Sequence, residues 1–170
     1  MSGVLELPGA HVLLRPIRPD ELDRVVAGRA DDADARRALL AHSGDWFEGR
    51  LDLAIEKGGE LVGTIQARAP VRFSPPGVCE LGIELFDGER GQGAGTEAVQ
   101  LLTAWLLENG YPRVQATTDV RNAAMRRVLE KLGFELEGVL RSFMPDGDER
   151  ADYAMYAVTR RLPPRPSPPR

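Results

Sequence analysis

Hydrophobic and polar positions alternate along much of this chain, and the alternation cuts it into strands. Leu51, Leu53 and Ile55 alternate with Asp52, Ala54 and Glu56, and beyond Gly58-Gly59 the pattern resumes at Leu61, Gly63 and Ile65. Two alternating runs joined by a Gly-Gly turn predict a hairpin. Val78 to Phe86 alternates again, with Cys79, Leu81, Ile83 and Leu85 opposite Glu80, Gly82 and Glu84. The period then lengthens. Ala94, Ala98, Leu101, Leu102, Trp105 and Leu106 fall on one side of a helix that Asn109-Gly110 ends. Met125, Val128, Leu129 and Leu132 repeat the helical spacing, with Asn122 placed as N-cap and Gly133 where a C-terminal glycine belongs.

The remaining segments are shorter. Val12 to Arg18 reads as a first strand, and Pro16 and Pro19 put it at an edge or end it. Pro19, Asp20 and Glu21 suit the first turn of a helix whose apolar face is Leu22, Val25 and Val26. Asp31 to Leu40 reads as a second helical piece with Ala35, Ala38 and Leu39 inward, and Asp45-Trp46-Phe47 as a loop or helix end with aromatic surface. Val114 to Thr118, Phe134 to Leu140 and Arg150 to Thr159 read as strands, and Pro145 to Asp148 as a turn.

The resulting order is β-α-α-β-β-β-α-β-α-β-β. It predicts an α/β (α+β) fold with a mixed, mostly antiparallel sheet of about seven strands and helices on both faces. The unit from residue 78 to 118 predicts a right-handed parallel crossover. Residues 1–161 read as a single domain, and the proline-rich end, 162–170, as a disordered tail.

Composition narrows the function. The chain has 170 residues, 42% hydrophobic and 28% charged, the balance of a globular protein with a core. A net charge of -4 argues against general binding to nucleic acid or an anionic membrane. The lone cysteine, Cys79, excludes a disulfide framework, and two histidines with one cysteine argue against a metal site. No apolar run reaches the roughly 20 residues of a membrane span. The first residues lack a signal-peptide pattern, so a cytoplasmic location is expected. The sequence leaves a homodimer open.

The chemistry concentrates at Arg90-Gly91-Gln92-Gly93-Ala94-Gly95-Thr96, between the strand at 78–86 and the helix that follows. Glycines let the backbone turn tightly and approach a ligand, while the helix N-terminus offers free N–H groups to phosphate. A plain glycine-rich turn is the bland alternative. A P-loop would need a lysine after the glycines, and none is there. A dinucleotide fingerprint would need glycine where Thr96 stands and would open the first β-α unit of the chain.

Arg90-x-x-Gly93-x-Gly95 resembles the pyrophosphate signature of the GNAT N-acetyltransferase superfamily. Glu80-Leu81-Gly82-Ile83 resembles that family's central strand, and Asn122 through Leu129-Glu130-Lys131-Leu132-Gly133-Phe134 its asparagine-helix-Gly-Phe segment. Glu137-Gly138 with Arg141, and Asp152 with Tyr156, resemble the closing strands of the ribosomal-protein (Rim-type) branch. The resemblance implies a GNAT-like fold and acetyl-CoA as cosubstrate, without a metal. It implies that Gly91, Gln92, Gly93, Ala94, Gly95 and Thr96 cradle the pyrophosphate, with Arg90 adding charge or framing the loop. The pantetheine arm would then run along Ile83, Glu84 and Leu85, with a backbone N–H there polarising the thioester carbonyl. Gly82 would ease a bulge that opens the strand from its neighbour. Asn122 is either an N-cap alone or also a contact to the CoA arm.

Acyl transfer to an amine needs that amine neutral, and Glu80 and Glu84 are the carboxylates on the central strand. Glu80 is preferred as base; Glu84 is the second candidate, and a surface or hydrogen-bonded strand glutamate is the plain reading of each. The family's helix tyrosine falls on Leu129 and the Rim-type serine on Met125, so this helix offers no proton donor. Tyr153 or Tyr156 is the substitute to consider. Cys79 reads as a buried strand residue, and His11 and His42 as surface or cap residues. Asp31, Asp32, Asp34, Asp45, Asp146 and Asp148 suggest an acidic rim for a cationic acceptor, a protein N-terminus or an amine-bearing small molecule, or else ordinary solvated surface. The competing readings are a CoA-binding or regulatory module without catalysis and a nucleotide-binding enzyme.

Overall fold

The computed structural model describes residues 5–27, 33–69 and 75–160. Its strands are β1 (Leu7–Pro8), β2 (Val12–Arg15), β3 (Arg50–Lys57), β4 (Glu60–Arg68), β5 (Val78–Leu85), β6 (Arg113–Asp119), β7 (Glu135–Asp146) and β8 (Glu149–Thr159). Its helices are α1 (Leu22–Val26), entered through a 3-10 turn at Pro19–Glu21, α2 (Ala33–Leu40), α3 (Ala94–Glu108) and α4 (Ala123–Lys131). The strands form one eight-stranded sheet in the order β1-β2-β3-β4-β5-β6-β8-β7. All neighbours are antiparallel except β5 and β6, so the fold is the mixed, mostly antiparallel α/β sheet expected. The added strand is β1, whose two residues are too few to carry a pattern.

The β3–β4 turn falls at Gly58-Gly59, with φ values of 60° and 85°, the left-handed pair a two-residue hairpin requires. α3 lies in the main core, burying Ala98, Val99, Leu102 and Leu106 against Leu53, Ile65, Leu81 and Val114 of the sheet. Leu129 of α4 joins the same core. A smaller cluster joins Val25 and Val26 of α1 and Leu40 of α2 to Ile17, Ala54 and Leu61. Ala54 follows Leu53 on β3, and successive strand residues face opposite ways, so the two clusters occupy the two faces of the sheet.

Four expectations are corrected. Ala35 and Ala38 are exposed, and α2 is anchored by Leu40 instead. The closing hairpin is longer than its alternation, because β7 continues to Asp146 and turns at Gly147. The β4–β5 register runs unbroken from Arg68↔Glu80 to Gly63↔Leu85, so Gly82 sits in no bulge. With no bulge between them, Glu80 and Glu84 stay on one face of the strand. Finally, among the described residues the aspartates of these acidic stretches line neither cavity, and Asp34 pairs with Arg37 at 3.3 Å and Asp146 with Arg121 at 2.8 Å, as in the solvated-surface alternative. Asp31, Asp32 and the tail 162–170 lie outside the described residues.

Candidate active site

The site opens where two strands part. β5 and β6 pair from Val78↔Arg113 to Leu81↔Ala116 and no further. Beyond Leu81, β5 keeps β4 on one flank, and among the described residues no strand pairs with the outward side of Gly82 to Leu85. The opening therefore falls at Gly82 as expected, but by divergence of β6 and not by a bulge.

Below the opening is a groove of about 620 Å³. Ile83, Glu84 and Leu85 line one wall, Arg90, Gly91, Gly93, Gly95 and Thr96 the end, and α4 the other wall through Ala124, Arg127, Val128 and Lys131. Asn122 and Met125 border it as well. Gly91 and Gly93 take φ values of 78° and 85°, which L side chains rarely adopt. A Cβ at either would meet nothing within 4 Å, so the space above the loop is open to a ligand. Gly93 is the N-cap of α3 and the free N–H groups of its first turn follow directly. Gly95 has a different reason: a Cβ there would come within 3.2 Å of Leu85 Cδ1, so glycine lets α3 close on β5. Open glycine positions, a helix N-terminus and three cations (Arg90, Arg127 and Lys131) fit a pyrophosphate on an extended arm.

Two loop residues from the sequence reading lie off the groove. The Gln92 amide accepts from Lys57 Nζ at 2.8 Å and donates to Gly88 O at 3.0 Å, and the Ala94 side chain is buried at 2% exposure. Neither side chain lines the groove, so any contribution is from backbone. Arg127 and Lys131 were not among the sequence candidates. Their i, i+4 spacing on α4 was the available signal.

A second cavity of about 490 Å³ lies across the opening and shares Ile83, Asn122 and Met125 with the groove. Glu80 lines it; Glu84 lines the groove instead. Glu80 Oε1 accepts from Arg68 at 2.9 Å and Thr117 Oγ1 at 3.3 Å, while Oε2 accepts from Gln115 Nε2 at 3.4 Å. One oxygen is thus firmly held and the other only loosely. Tyr153 lines this cavity with Phe143 and Met144, three residues that give it aromatic and apolar character.

The other candidates separate cleanly. Tyr156 is fully buried, donates to Glu130 Oε1 at 2.8 Å and accepts from Arg126 Nε at 3.1 Å, so its hydroxyl is committed to α4. Leu129 is buried with 0% exposure and Met125 stands at the junction of the two cavities. Asn122 Oδ1 accepts from Met125 N–H at 3.1 Å, a true N-cap, and also borders both cavities. Cys79 is buried, and desolvation pushes its thiol up to about 12. His11 donates its backbone N–H to Glu97 Oε1 at 2.9 Å, and His42 stacks on Phe47 at 3.7 Å.

Comparison with known proteins agrees with this geometry. Residues 11–135 match the family model described as an acetyltransferase (GNAT) domain. The chain is 27% identical over 166 residues to YokL of Bacillus subtilis (strain 168), a prophage-derived uncharacterized N-acetyltransferase, covering 89% of this chain and 92% of that protein. The GNAT-family acetyltransferase of Bacillus anthracis superposes with a TM-score of 0.74 at 20% identity, covering 92% of this chain and 99% of that one. RimL, a ribosomal alpha-N-protein acetyltransferase solved with coenzyme A, gives 0.76 at 18% identity, covering 91% and 98%. At such identities the two structures speak for the fold.

Proposed function

Since this chain belongs to the GNAT acetyltransferase family, we propose that it moves an acetyl group from acetyl-CoA to a primary amine by direct attack. The observation that carries the reading is the meeting of two cavities at the gap between β5 and β6. One is a phosphate-ready groove and the other holds the carboxylate of Glu80.

In this reading the loop N–H groups and the cations Arg90, Arg127 and Lys131 hold the pyrophosphate of the donor. The outward backbone of Ile83, Glu84 and Leu85 pairs with the pantetheine arm, and the Asn122 amide adds a contact. The thioester then lies at the junction beside Met125, and a β5 backbone N–H stabilises charge on its oxygen. The amine enters from the second cavity. Glu80 Oε2 takes its proton, directly or through a water, as the C–N bond forms and the C–S bond breaks. A protein α-amine has a reference pKa of about 7.7–8.0 against about 10.4 for lysine, so it needs less help from Glu80. A thiol with a reference pKa of about 8.5 leaves as thiolate and regains its proton from solvent, or from Tyr153. Glu84 serves the donor side and not as base. The acceptor reading covers protein N-termini, as in the Rim-type branch, and small-molecule amines.

Apolar side chains at the positions of the family's donors, the buried Leu129 and the half-buried Met125, favour one other reading, a CoA-binding module that has lost catalysis. Turnover separates the two. With acetyl-CoA and an amine panel, transfer predicts amine-dependent release of CoA; a module predicts binding without release. Glu80→Gln should lower turnover by about 100-fold, the scale of a positioned general base, with donor affinity unchanged. A wild-type rate from about pH 7 to about pH 9, the range in which α-amines titrate, would remove Glu80 as base.

A further inference from the structure

The cavity beyond the gap carries features that a bare amine site does not need. Among the described residues, the charged groups that line it are Arg68 and Glu80, and these are paired with each other at 2.9 Å. Much of the remaining wall is apolar, and two large side chains on it, Phe143 and Met144, stand 43% and 41% exposed. Exposed apolar groups of that size beside a cavity mark a place where an apolar ligand group can leave water.

That wall is held by specific bonds. Leu140 pairs with Tyr153 and Met144 with Ala151, so Arg141, Ser142 and Phe143 stand opposite Asp152 alone. Ser142 takes φ of 49°, a left-handed conformation that non-glycine residues rarely adopt. Three hydrogen bonds to β8 hold it there. Ser142 N–H donates to Asp152 Oδ1 at 2.7 Å, Arg150 Nε donates to Ser142 O at 2.6 Å, and Arg150 Nη2 donates to Phe143 O at 2.7 Å. The backbone on both sides of Phe143 is thereby fixed. Its ring tilts against Tyr153 with centroids 5.7 Å apart.

Resting on the reading of this cavity as the acceptor site, we infer that the acceptor is an apolar primary amine, with an aryl or branched alkyl group close to the nitrogen. The group seats on Phe143, Met144 and Tyr153 while the nitrogen faces Glu80. Asp152 and Arg150 act as positioning residues that hold the wall. Polycations are poor acceptors here, because their extra charges meet a single carboxylate already paired with Arg68.

The test compares kcat/KM at saturating acetyl-CoA for 2-phenylethylamine, phenylalanine amide and a short peptide with N-terminal phenylalanine against glycinamide and spermidine. The two small molecules and the peptide distinguish a free amine from a protein terminus. Calorimetric binding of the same amines to the CoA-bound protein is measured alongside. The expected preference for the aryl amines is about 10-fold to 100-fold, the range for seating one large apolar group. Asp152→Ala should raise KM for the aryl amine several-fold (about 5-fold, the loss of one hydrogen bond) and leave KM for acetyl-CoA unchanged. Asp152→Asn should restore it, because its amide oxygen accepts the same N–H. Turnover of spermidine or glycinamide equal to that of the aryl amines would overturn the apolar acceptor and leave acetyl transfer standing. An aryl preference in binding with no turnover would keep the pocket and overturn transfer. Absence of both binding and turnover of the aryl amines would overturn the acceptor assignment, and an unmoved KM in Asp152→Ala would overturn the positioning role.

Discussion

Glu80 is held by Arg68, Gln115 and Thr117, so its position is set by three side chains and not by its strand alone. Its chemistry was legible as a carboxylate on the central strand, but its partners were not, because Gln115 and Thr117 come from a strand over thirty residues away. Cys79 is the converse case: its burial followed directly from alternation. With its thiol pushed up to about 12 and no exposure, it should resist iodoacetamide in the native protein at pH 8 and react on unfolding. Labelling counted by mass spectrometry checks this, and rapid native labelling would contradict the burial. Ser142 could not be anticipated, since its left-handed φ of 49° depends on Asp152 and Arg150 across the hairpin. Ser142→Gly should be tolerated or raise stability by up to about 1 kcal/mol, read from chemical denaturation, because glycine adopts that conformation freely.

Among the elements, α4 does two things with one face. Its N-cap satisfies Met125 N–H through Asn122 Oδ1, while Ala124, Arg127, Val128 and Lys131 line the groove beside the glycine loop. Asn122→Ala should cost about 1 kcal/mol of stability as a lost cap. Asn122→Asp keeps the acceptor for Met125 N–H but loses the amide donor. It should therefore fold with nearly unchanged stability yet bind acetyl-CoA more weakly, by calorimetry. Equal affinity in Asn122→Asp would reduce Asn122 to a cap. The helix was legible from its stripe and its terminal residues. β7 was legible only to Leu140, because beyond it Arg141, Ser142 and Phe143 face one residue of β8 and the alternation stops. That irregular half is the part that places Phe143 and Met144 on the wall of the second cavity.

On the scale of the molecule, the eight-stranded sheet brings one glycine loop, one parted pair of strands and one irregular hairpin to the same gap. α3 carries the load beneath them. Leu102 is fully buried in the main core, so Leu102→Ala should cost about 2–5 kcal/mol in equilibrium unfolding. The crossover between β5 and β6 followed from period and connectivity, since a parallel pair needs a helix-length link, whereas the insertion of β8 between β6 and β7 did not. The cavities did not, because they depend on where pairing between those strands stops. Gly93 is where fold and function are most directly coupled, with φ of 85° at the start of α3 and open space above it. Its substitution strains the loop, so a second change is paired with it: Arg127→Glu and Lys131→Glu together alter only exposed groove residues on α4. The deciding measurement is CoA release from acetyl-CoA with and without primary amines, for the wild type, Gly93→Val and the Arg127→Glu, Lys131→Glu pair. Acetyl transfer through this site predicts amine-dependent release with wild type, an acetylated amine in the product mixture, and loss of acetyl-CoA binding in both variants. Binding of acetyl-CoA unaffected by both, or release that no amine accelerates, would contradict it.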